Sequence, residues 1–197
     1  MNRELILASQ SPRRREILNF FSVPFTQISP EFDETQVPFR GNPAAFVSEI
    51  AERKALCLQE RYPDHPILAA DTTVYRDNRL FMKPESLEEA FTMLSELAGK
   101  EHSVFTGVSV LHKDKCFTEV EETKVFFHDL TKEQIHAYHQ HFAPLDKAGA
   151  YAIQRGGSII VKRIEGCYYN IMGLPLNTTR RLLARIGVNL WDSLKSL

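Results

Sequence analysis

Short apolar runs alternate along the chain with longer stretches in which apolar residues recur every three or four positions. The short runs are typical of buried strands, and the longer spacing is typical of helices with one buried face. The predicted strands are Leu5–Ala8, Phe25–Ser29, Ile67–Val74, Leu80–Met82, Val104–Leu111, Phe117–Phe127 and Ile159–Ile164. The predicted helices are Ser11–Phe21, Asn42–Tyr62, Ser86–Gly99, Thr131–Phe142 and Thr178–Ile186. Because strands and helices alternate without a strict βαβ rhythm, we predict an α/β fold with a mixed central sheet.

Local signals mark the starts of four of these helices. A polar residue before proline is typical of an N-cap followed by the first helical residue, and Ser or Thr followed three positions later by Glu or Gln is a capping box. The four signals are Ser11-Pro12, Asn42-Pro43, the pair Ser86 and Glu89, and the pair Thr131 and Gln134. No composition shift marks a domain boundary, so the chain is interpreted as a single domain, residues 1–197, or two tightly joined lobes.

Composition narrows the classes of function. The 197 residues are 43% hydrophobic and 25% charged, which is enough to bury a core, and the formal charge of −1 argues against a broad nucleic-acid-binding surface. No stretch approaches the roughly 18 apolar residues of a membrane span. The three cysteines are widely spaced without a CxxC pair, which favours reduced thiols in a cytoplasmic protein. We expect no membrane and no nucleic acid among the partners.

A basic turn follows the first predicted strand. Ser9 and Ser11 lie in the turn, and Arg13 and Arg14 open the helix after it. The free N–H groups and positive end of a helix bind anions, and guanidinium groups match phosphate oxygens bidentately. The turn is therefore a candidate phosphate site. The alternative is a capped surface helix with solvated arginines.

For four further residues, the pattern of apolar and polar positions does not decide between alternative roles. Asp71 stands at the polar end of an apolar strand, where a carboxylate is costly to bury without a cation, or else simply accepts hydrogen bonds there. Lys54 occupies the apolar seam of its helix, so it either extends past the core to solvent or points into a cleft. Glu34 by itself indicates a solvated loop acid, and Lys83 is held extended by the following proline.

Five motifs in one order accompany the basic turn and resemble the Maf family of nucleoside triphosphate pyrophosphatases. They are ADTTV from Ala70, Lys83-Pro84, HSVFTGV from His102, DKAGAYAIQ from Asp146 and GCYYNIMGLP from Gly166. The resemblance extends from about Leu5 to Arg185 and is far more specific than a lone phosphate loop. It implies a Maf/ITPase-like fold, with helices flanking a mixed central sheet and two lobes around a nucleotide-binding cleft. It also suggests a homodimer.

The resemblance implies catalytic roles for these residues. Asp71 matches the proposed general base that activates water, and Lys54 and Lys83 match positions that grip the triphosphate. Glu34 matches an acid that helps to hold a divalent cation, Mg²⁺ or Mn²⁺, or the water, so Glu34 and Asp71 are the expected metal ligands. Ser9, Ser11, Arg13 and Arg14 complete the expected substrate-binding set.

The nucleobase preference rests on two positions. The segment around Gln154 looks like that of the Maf branch associated with dTTP and UTP, in which this glutamine and the threonine matching Thr72 affect substrate choice. Arg155 departs from the family, which usually has glycine there. The prediction is hydrolysis of dTTP and UTP, and also of modified pyrimidine nucleotides, to the nucleoside monophosphate and pyrophosphate, with a role in cell division arrest. The alternatives are a modified nucleotide such as methylated GTP, or a regulatory nucleotide-binding protein.

Overall fold

Seven strands form one mixed sheet in the computed structural model, which describes residues 4–195. The strands are β1 (Leu5–Ala8), β2 (Phe25–Ile28), β3 (Ile67–Arg76), β4 (Arg79–Phe81), β5 (Glu101–His112), β6 (Lys115–Phe127) and β7 (Val161–Glu165). Their order is β2-β1-β3-β5-β6-β7, with β4 paired to β3. β1 runs parallel to β2 and β3, whereas β4 is antiparallel to β3 and β7 is antiparallel to β6. The predicted mixed α/β fold is confirmed.

Six α-helices accompany the sheet within the described residues. They are α1 (Pro12–Leu18), α2 (Pro43–Leu56), α3 (Leu87–Leu97), α4 (Lys132–His141), α5 (Tyr168–Ile171) and α6 (Leu176–Ala184). α1 and α2 end earlier than the sequence pattern predicted, because the chain tightens into turns whose N–H groups bond three residues back, as Phe20 does to Ile17 and Leu58 does to Ala55. None of the described helices has the length and apolar content needed to cross a membrane.

The four predicted helix starts are all present. The side chains of Ser11, Asn42, Ser86 and Thr131 each accept a hydrogen bond from the backbone at the start of the following helix. Thr131 and Gln134 form the complete capping box. The Ser86 box is incomplete, since the Glu89 carboxylate accepts from the N–H of Glu85 instead.

The chain divides into two compact units, and each has its own core. Unit 1 contains the described residues up to Asp71, Thr106–Glu121, and those from Gly173 onward. Its core cluster consists of Ile6, Ala8, Ala55, Leu58, Ile67, Ala69 and Leu111. β5 approaches α2 closely here, because a Cβ added at Gly107 would lie 2.5 Å from the carbonyl oxygen of Val47. The core of unit 1 thus fixes α2 against the sheet.

Unit 2 contains Thr72–Phe105 and Glu122–Met172. Its core is built by β4, α3, α4 and parts of three long strands, with Leu94, Leu97 and Ile135 buried. An aromatic group lies inside this core, where the ring of Phe127 meets His102 and Tyr151 edge to face. The sequence did not single out this group.

A candidate active site around Lys54 and Asp71

The turn between β1 and α1 is held by its two serines. Ser9 is buried, and its Oγ accepts hydrogen bonds from the N–H of Ser11 at 3.1 Å and from Nη1 of Arg14 at 3.3 Å. Ser11 caps α1 by accepting from the N–H of Arg14 at 3.4 Å. Pro12 supplies the first helical residue, where a missing N–H costs nothing. The turn is therefore built as the sequence predicted.

The two arginines of α1 differ in their surroundings. Nε of Arg14 donates to the carbonyl oxygen of Gly173 at 2.7 Å, so this guanidinium ties the turn to the segment before α6. Burial lowers the pKa of Arg14, and the nearby carboxylate of Asp71 opposes that shift. Arg13 is half-buried on the same helix. Arg14 thus combines an anchoring role with a positive charge close to Asp71.

Lys54 joins two carboxylates inside unit 1. Its Nζ lies 2.8 Å from Oδ1 of Asp71 and 2.6 Å from Oε1 of Glu34. Lys54 and Asp71 are each only 6% exposed, which makes this a buried ion pair. The buried face of α2, with Val47 and Ile50, directs the lysine inward. Of the two sequence alternatives for Lys54, extension to solvent is excluded.

Asp71 lies in the middle of β3 and not at the polar end of a strand, which corrects the interpretation of the sequence. The strand continues to Arg76 because its second half pairs with β4, in the register Val74 to Phe81. Because polar residues follow Asp71, the apolar pattern did not predict this continuation of the strand. The backbone carrying Asp71 is consequently part of an extended ladder, which fixes the direction of its side chain.

The electrostatic surroundings of Asp71 suit a base. Burial raises the pKa of Asp71, and the negative charge of Glu34 raises it further. The cations of Lys54 and Arg14 pull the pKa back down. A carboxylate with a raised pKa is a stronger proton acceptor, and the two cations favour its ionised form. The group can therefore accept a proton from water.

Glu34 lies in a short turn of 3₁₀ helix, Glu34–Gln36, where Asp33 caps the turn by accepting from the N–H of Thr35 at 3.0 Å. The side chain of Glu34 is 38% exposed and forms an ion pair with Lys54. Taken by itself, the sequence indicated a solvated acid, and the ion pair shows otherwise.

The donor set determines which metal could bind here. Within residues 4–195, no group of three or more His, Cys, Asp or Glu side chains could hold a metal ion. Glu34 and Asp71 provide two carboxylates, which both contact the ammonium group of Lys54. Mg²⁺ commonly binds through one or two carboxylates together with substrate phosphates and water. These two residues therefore fit Mg²⁺ or Mn²⁺ only together with a bound phosphate.

The remaining predicted residues belong to unit 2. Thr72 follows Asp71 on β3 and is partly buried, and Lys83 is exposed just after β4. Gln154 is partly exposed in the loop before the turn Arg155–Ile160. Their functional roles remain predictions. Arg155 has a φ of +57°, the left-handed region that glycine favours, so the loop keeps a backbone suited to the glycine expected there.

Two features of the structure were not predicted from the sequence. One is the carbonyl of Gly173, which receives Arg14, and the other is Tyr138, whose hydroxyl contacts the backbone near Gln154. The only sequence signal for Tyr138 was its apolar position on α4, which predicts a core residue. Backbone partners distant in sequence leave no residue pattern.

Comparisons with known proteins agree with the motifs. A family model described as "Maf-like protein" matches residues 4–186. A dTTP/UTP pyrophosphatase of Chlamydia caviae is 44% identical over 195 residues, which is 98% of this chain and 100% of that protein. A dTTP/UTP pyrophosphatase of Bacillus cereus is 44% identical over 187 residues, 95% of this chain and 97% of that protein. Among solved structures, the Staphylococcus aureus Ham1 protein has a TM-score of 0.51 at 15% identity, covering 94% of this chain and 98% of that chain, and so supports the fold.

Proposed function

The chain belongs to the Maf-like protein family, and on that premise we propose that it is a dTTP/UTP pyrophosphatase. It hydrolyses the bond between the α- and β-phosphates, which gives the nucleoside monophosphate and pyrophosphate. The observation that carries the proposal is the buried Lys54 ammonium between Asp71 and Glu34, in a chain that matches its relatives over nearly its whole length.

Asp71 is the general base of the proposed reaction. It removes a proton from a water molecule whose oxygen forms a bond to the α-phosphorus, while the bridging P–O bond breaks and pyrophosphate leaves with the electron pair. General-base catalysis contributes about 10²- to 10⁴-fold to a rate. The raised pKa of Asp71 supports this role, since the base then retains the proton more firmly.

Lys54 favours the ionised form of Asp71. Two of its three N–H donors are directed to Asp71 and Glu34, which leaves one donor for a phosphate oxygen. Lys54 can therefore orient the base and also contribute to the phosphate grip that the family resemblance implies.

Three further cations bind the phosphates in this proposal. Arg13 and Arg14 present guanidinium groups beside the start of α1, and Ser9 and Ser11 hold the turn in shape. Arg14 already uses Nε and Nη1 for bonds within the chain, so its part in the proposal is mainly its positive charge. Lys83 joins the set on the strength of its family motif. Such donors stabilise charge that develops on the leaving pyrophosphate.

Glu34 and Asp71 would hold the divalent cation, Mg²⁺ or Mn²⁺. When bound with substrate, such an ion neutralises phosphate charge and lowers the pKa of coordinated water. Lys54 contacts both carboxylates, and its positive charge favours the ionised form of Asp71, which is the form that a metal requires.

Thr72 and Gln154 are proposed to select the base. A side-chain amide and a hydroxyl can pair with the alternating carbonyl and N–H groups of a pyrimidine. A purine would leave buried polar groups unpaired, at a cost of about 1 to 3 kcal/mol each. The relatives named for dTTP and UTP support this choice over methylated GTP or another modified nucleotide. The Asp71 arrangement supports an enzyme over a purely regulatory nucleotide-binding protein, because binding alone needs no base.

A homodimer, a cytoplasmic location and a role in division arrest are part of the proposal on family grounds. The free thiols of Cys57, Cys116 and Cys167 support a reducing compartment.

Light scattering on a sizing column tests the proposed homodimer by measuring its mass directly, with about 45 kDa expected for two copies of a 22.6 kDa chain.

A nucleotide panel tests the proposed activity. Purified protein is incubated with dTTP, UTP, dATP or GTP and with Mg²⁺ or Mn²⁺, and the products are separated by ion-exchange chromatography. The expected result is monophosphate and pyrophosphate in equal amounts, with the highest kcat/KM for dTTP and UTP. Release of diphosphate and orthophosphate, or a preference for a purine, would contradict the proposal.

A further inference from the structure

One hydroxyl contacts both ends of the loop that carries Gln154, which is also closed by a backbone bond from the N–H of Gly157 to the carbonyl oxygen of Gln154. Oη of Tyr138 donates to the carbonyl oxygen of Ala152 at 2.7 Å and accepts from the N–H of the same residue at 3.1 Å. The same proton is shared with the carbonyl oxygen of Gly157, which lies 3.2 Å from Oη and accepts the weaker of the two bonds. The backbone before Gln154 and the backbone after it thus both contact this single oxygen atom.

The anchor itself is firmly held. Tyr138 is 4% exposed in the core of unit 2, and its ring lies 4.7 Å from that of Phe142 one turn later on α4. Burial raises the pKa of Tyr138 to about 12, so the hydroxyl keeps its proton at neutral pH. The neighbouring His139 contacts the carbonyl oxygen of Ala150 at 3.1 Å, which ties a second point of the same segment to α4.

Gly157 permits the close approach of the loop's two ends. A Cβ at this position would collide with the carbonyl oxygen of Ala152 and would lie 3.2 Å from Oη of Tyr138. Between these ends, Arg155 has a φ of +57°, which reverses the chain direction locally. The loop is therefore a narrow bend whose two ends lie close together, and Gln154 is partly exposed on it.

We propose that Tyr138 is a positioning residue for base selection: its hydroxyl sets the direction of Gln154 by holding Ala152 and Gly157 together. This inference rests on the proposed function, in which Gln154 reads the pyrimidine. Tyr138 acts through the loop and does not touch the nucleotide. Its loss therefore affects discrimination between bases more than phosphate chemistry.

A double-mutant cycle tests the inference. Tyr138→Phe, Gln154→Ala and the double variant are compared by kcat/KM for dTTP and for dATP. Tyr138→Phe is expected to lower the dTTP-to-dATP ratio by about 5-fold or more, chiefly through a higher KM for dTTP. In the Gln154→Ala background the same change should leave the ratio unaltered, because the residue through which Tyr138 acts is gone.

Two matched controls separate positioning from general loss of stability. Tyr151→Phe removes another buried hydroxyl, which contacts Nε2 of His102 at 2.9 Å, and should retain the ratio. Gly157→Ala should lower the ratio as Tyr138→Phe does, and it serves as the second probe if Tyr138→Phe folds poorly. Gly156→Ala should retain the ratio, since its Cβ would meet only the ring of Phe142 at 3.3 Å.

The outcomes distinguish this inference from the proposed function beneath it. If Gln154→Ala lowers the ratio but Tyr138→Phe and Gly157→Ala do not, the positioning role is wrong and the base-reading role stands. If Tyr138→Phe reduces turnover of both nucleotides equally, the residue is only structural and the inference is likewise overturned. If Gln154→Ala itself leaves the ratio unchanged, base reading by this loop fails together with the inference.

Discussion

The buried pair of Lys54 and Asp71 balances two opposing effects. Removing a carboxylate from water favours its protonated form, and this effect is the largest on Asp71. Lys54 at 2.8 Å and the charge of Arg14 favour the ionised form. The balance leaves the pKa of Asp71 above its ordinary value of 3.8. The carboxylate of Asp71 is thus a stronger base than that of a solvated aspartate.

This balance predicts the effect of pH on Lys54→Met. Loss of the ammonium removes the contact that lowers the pKa of Asp71, so the acid limb of the kcat/KM profile for dTTP should move to higher pH. Because turnover requires ionised Asp71, activity is lost as pH falls through its pKa, and the variant should lose it earlier. At neutral pH we expect a rate loss of about 10²-fold. The measurement is a pH profile of pyrophosphate release.

A surface lysine provides the control for that profile. Lys124 pairs with Glu101 at 2.9 Å, but both side chains are nearly half exposed, so Lys124→Met should leave the acid limb in place. If Lys54→Met gave the wild-type limb and rate, Lys54 would have no part in setting the ionisation of Asp71.

Arg155 carries a backbone strain that the sequence alone could not assess. The left-handed φ of +57° costs a non-glycine residue about 1 kcal/mol. Arg155→Gly should therefore leave the free energy of unfolding equal or raise it by up to about 1 kcal/mol, with base preference retained. Arg155→Val should lower it by about 1 to 2 kcal/mol. Urea denaturation checks both, and a large destabilisation by glycine would show that the arginine side chain is needed.

At the scale of helices and strands, local signals were sufficient for the starts of the four capped helices and insufficient for the ends of α1 and α2. The start of α6 was predicted at Thr178 but lies at Leu176, where no side-chain cap marks it. The caps at Ser11, Asn42 and Thr131 act on backbone within three residues, so the sequence predicts them directly. The full length of β3 depends on pairing with β4, which apolar periodicity does not encode. The short turns of 3₁₀ helix and the four-residue helix α5 are below the length at which periodicity can be read.

The cap of α1 should have a functional effect that other caps lack. Ser11→Ala removes the side-chain acceptor at the start of α1 and should lower stability by about 0.5 to 1 kcal/mol, or roughly 1 to 4 °C in Tm. Because α1 begins the proposed phosphate turn, KM for dTTP should rise as well. Thr131→Ala at the start of α4 should cause a similar loss in Tm without a change in KM. If KM for dTTP were unchanged in Ser11→Ala, the cap would have no part in substrate binding.

The site could be predicted in part. Residue chemistry singled out Asp71, Lys54 and the basic turn, and the family resemblance gave Glu34 and Lys54 their expected roles. The sequence could not decide the direction of Lys54, because its partner Asp71 is 17 residues away on another element. The anchoring bond from Arg14 to the carbonyl of Gly173 spans 159 residues and involves backbone, so it was beyond any pattern.

At the scale of the whole molecule, each unit has its own hydrophobic core, and neither core contains a described cluster that could hold a structural metal. The divalent cation of the proposed reaction should therefore affect turnover without affecting the stability of the fold.

Chelation separates these two effects. Treatment with EDTA should abolish pyrophosphate release and leave Tm unchanged, because no structural ion is removed from the described part of the chain. Added Mg²⁺ or Mn²⁺ should restore turnover. A marked fall in Tm on chelation would reveal a structural metal, and full activity in EDTA would contradict the proposed cofactor.

The role of Asp71 as the general base is tested by the turnover of dTTP by the variant Asp71→Asn. Asparagine preserves the shape of the side chain but cannot take the proton from water. We expect pyrophosphate release to fall by about 10²- to 10⁴-fold, while circular dichroism and Tm show a folded protein. Pyrophosphate release at the wild-type rate by a folded Asp71→Asn variant would contradict the account.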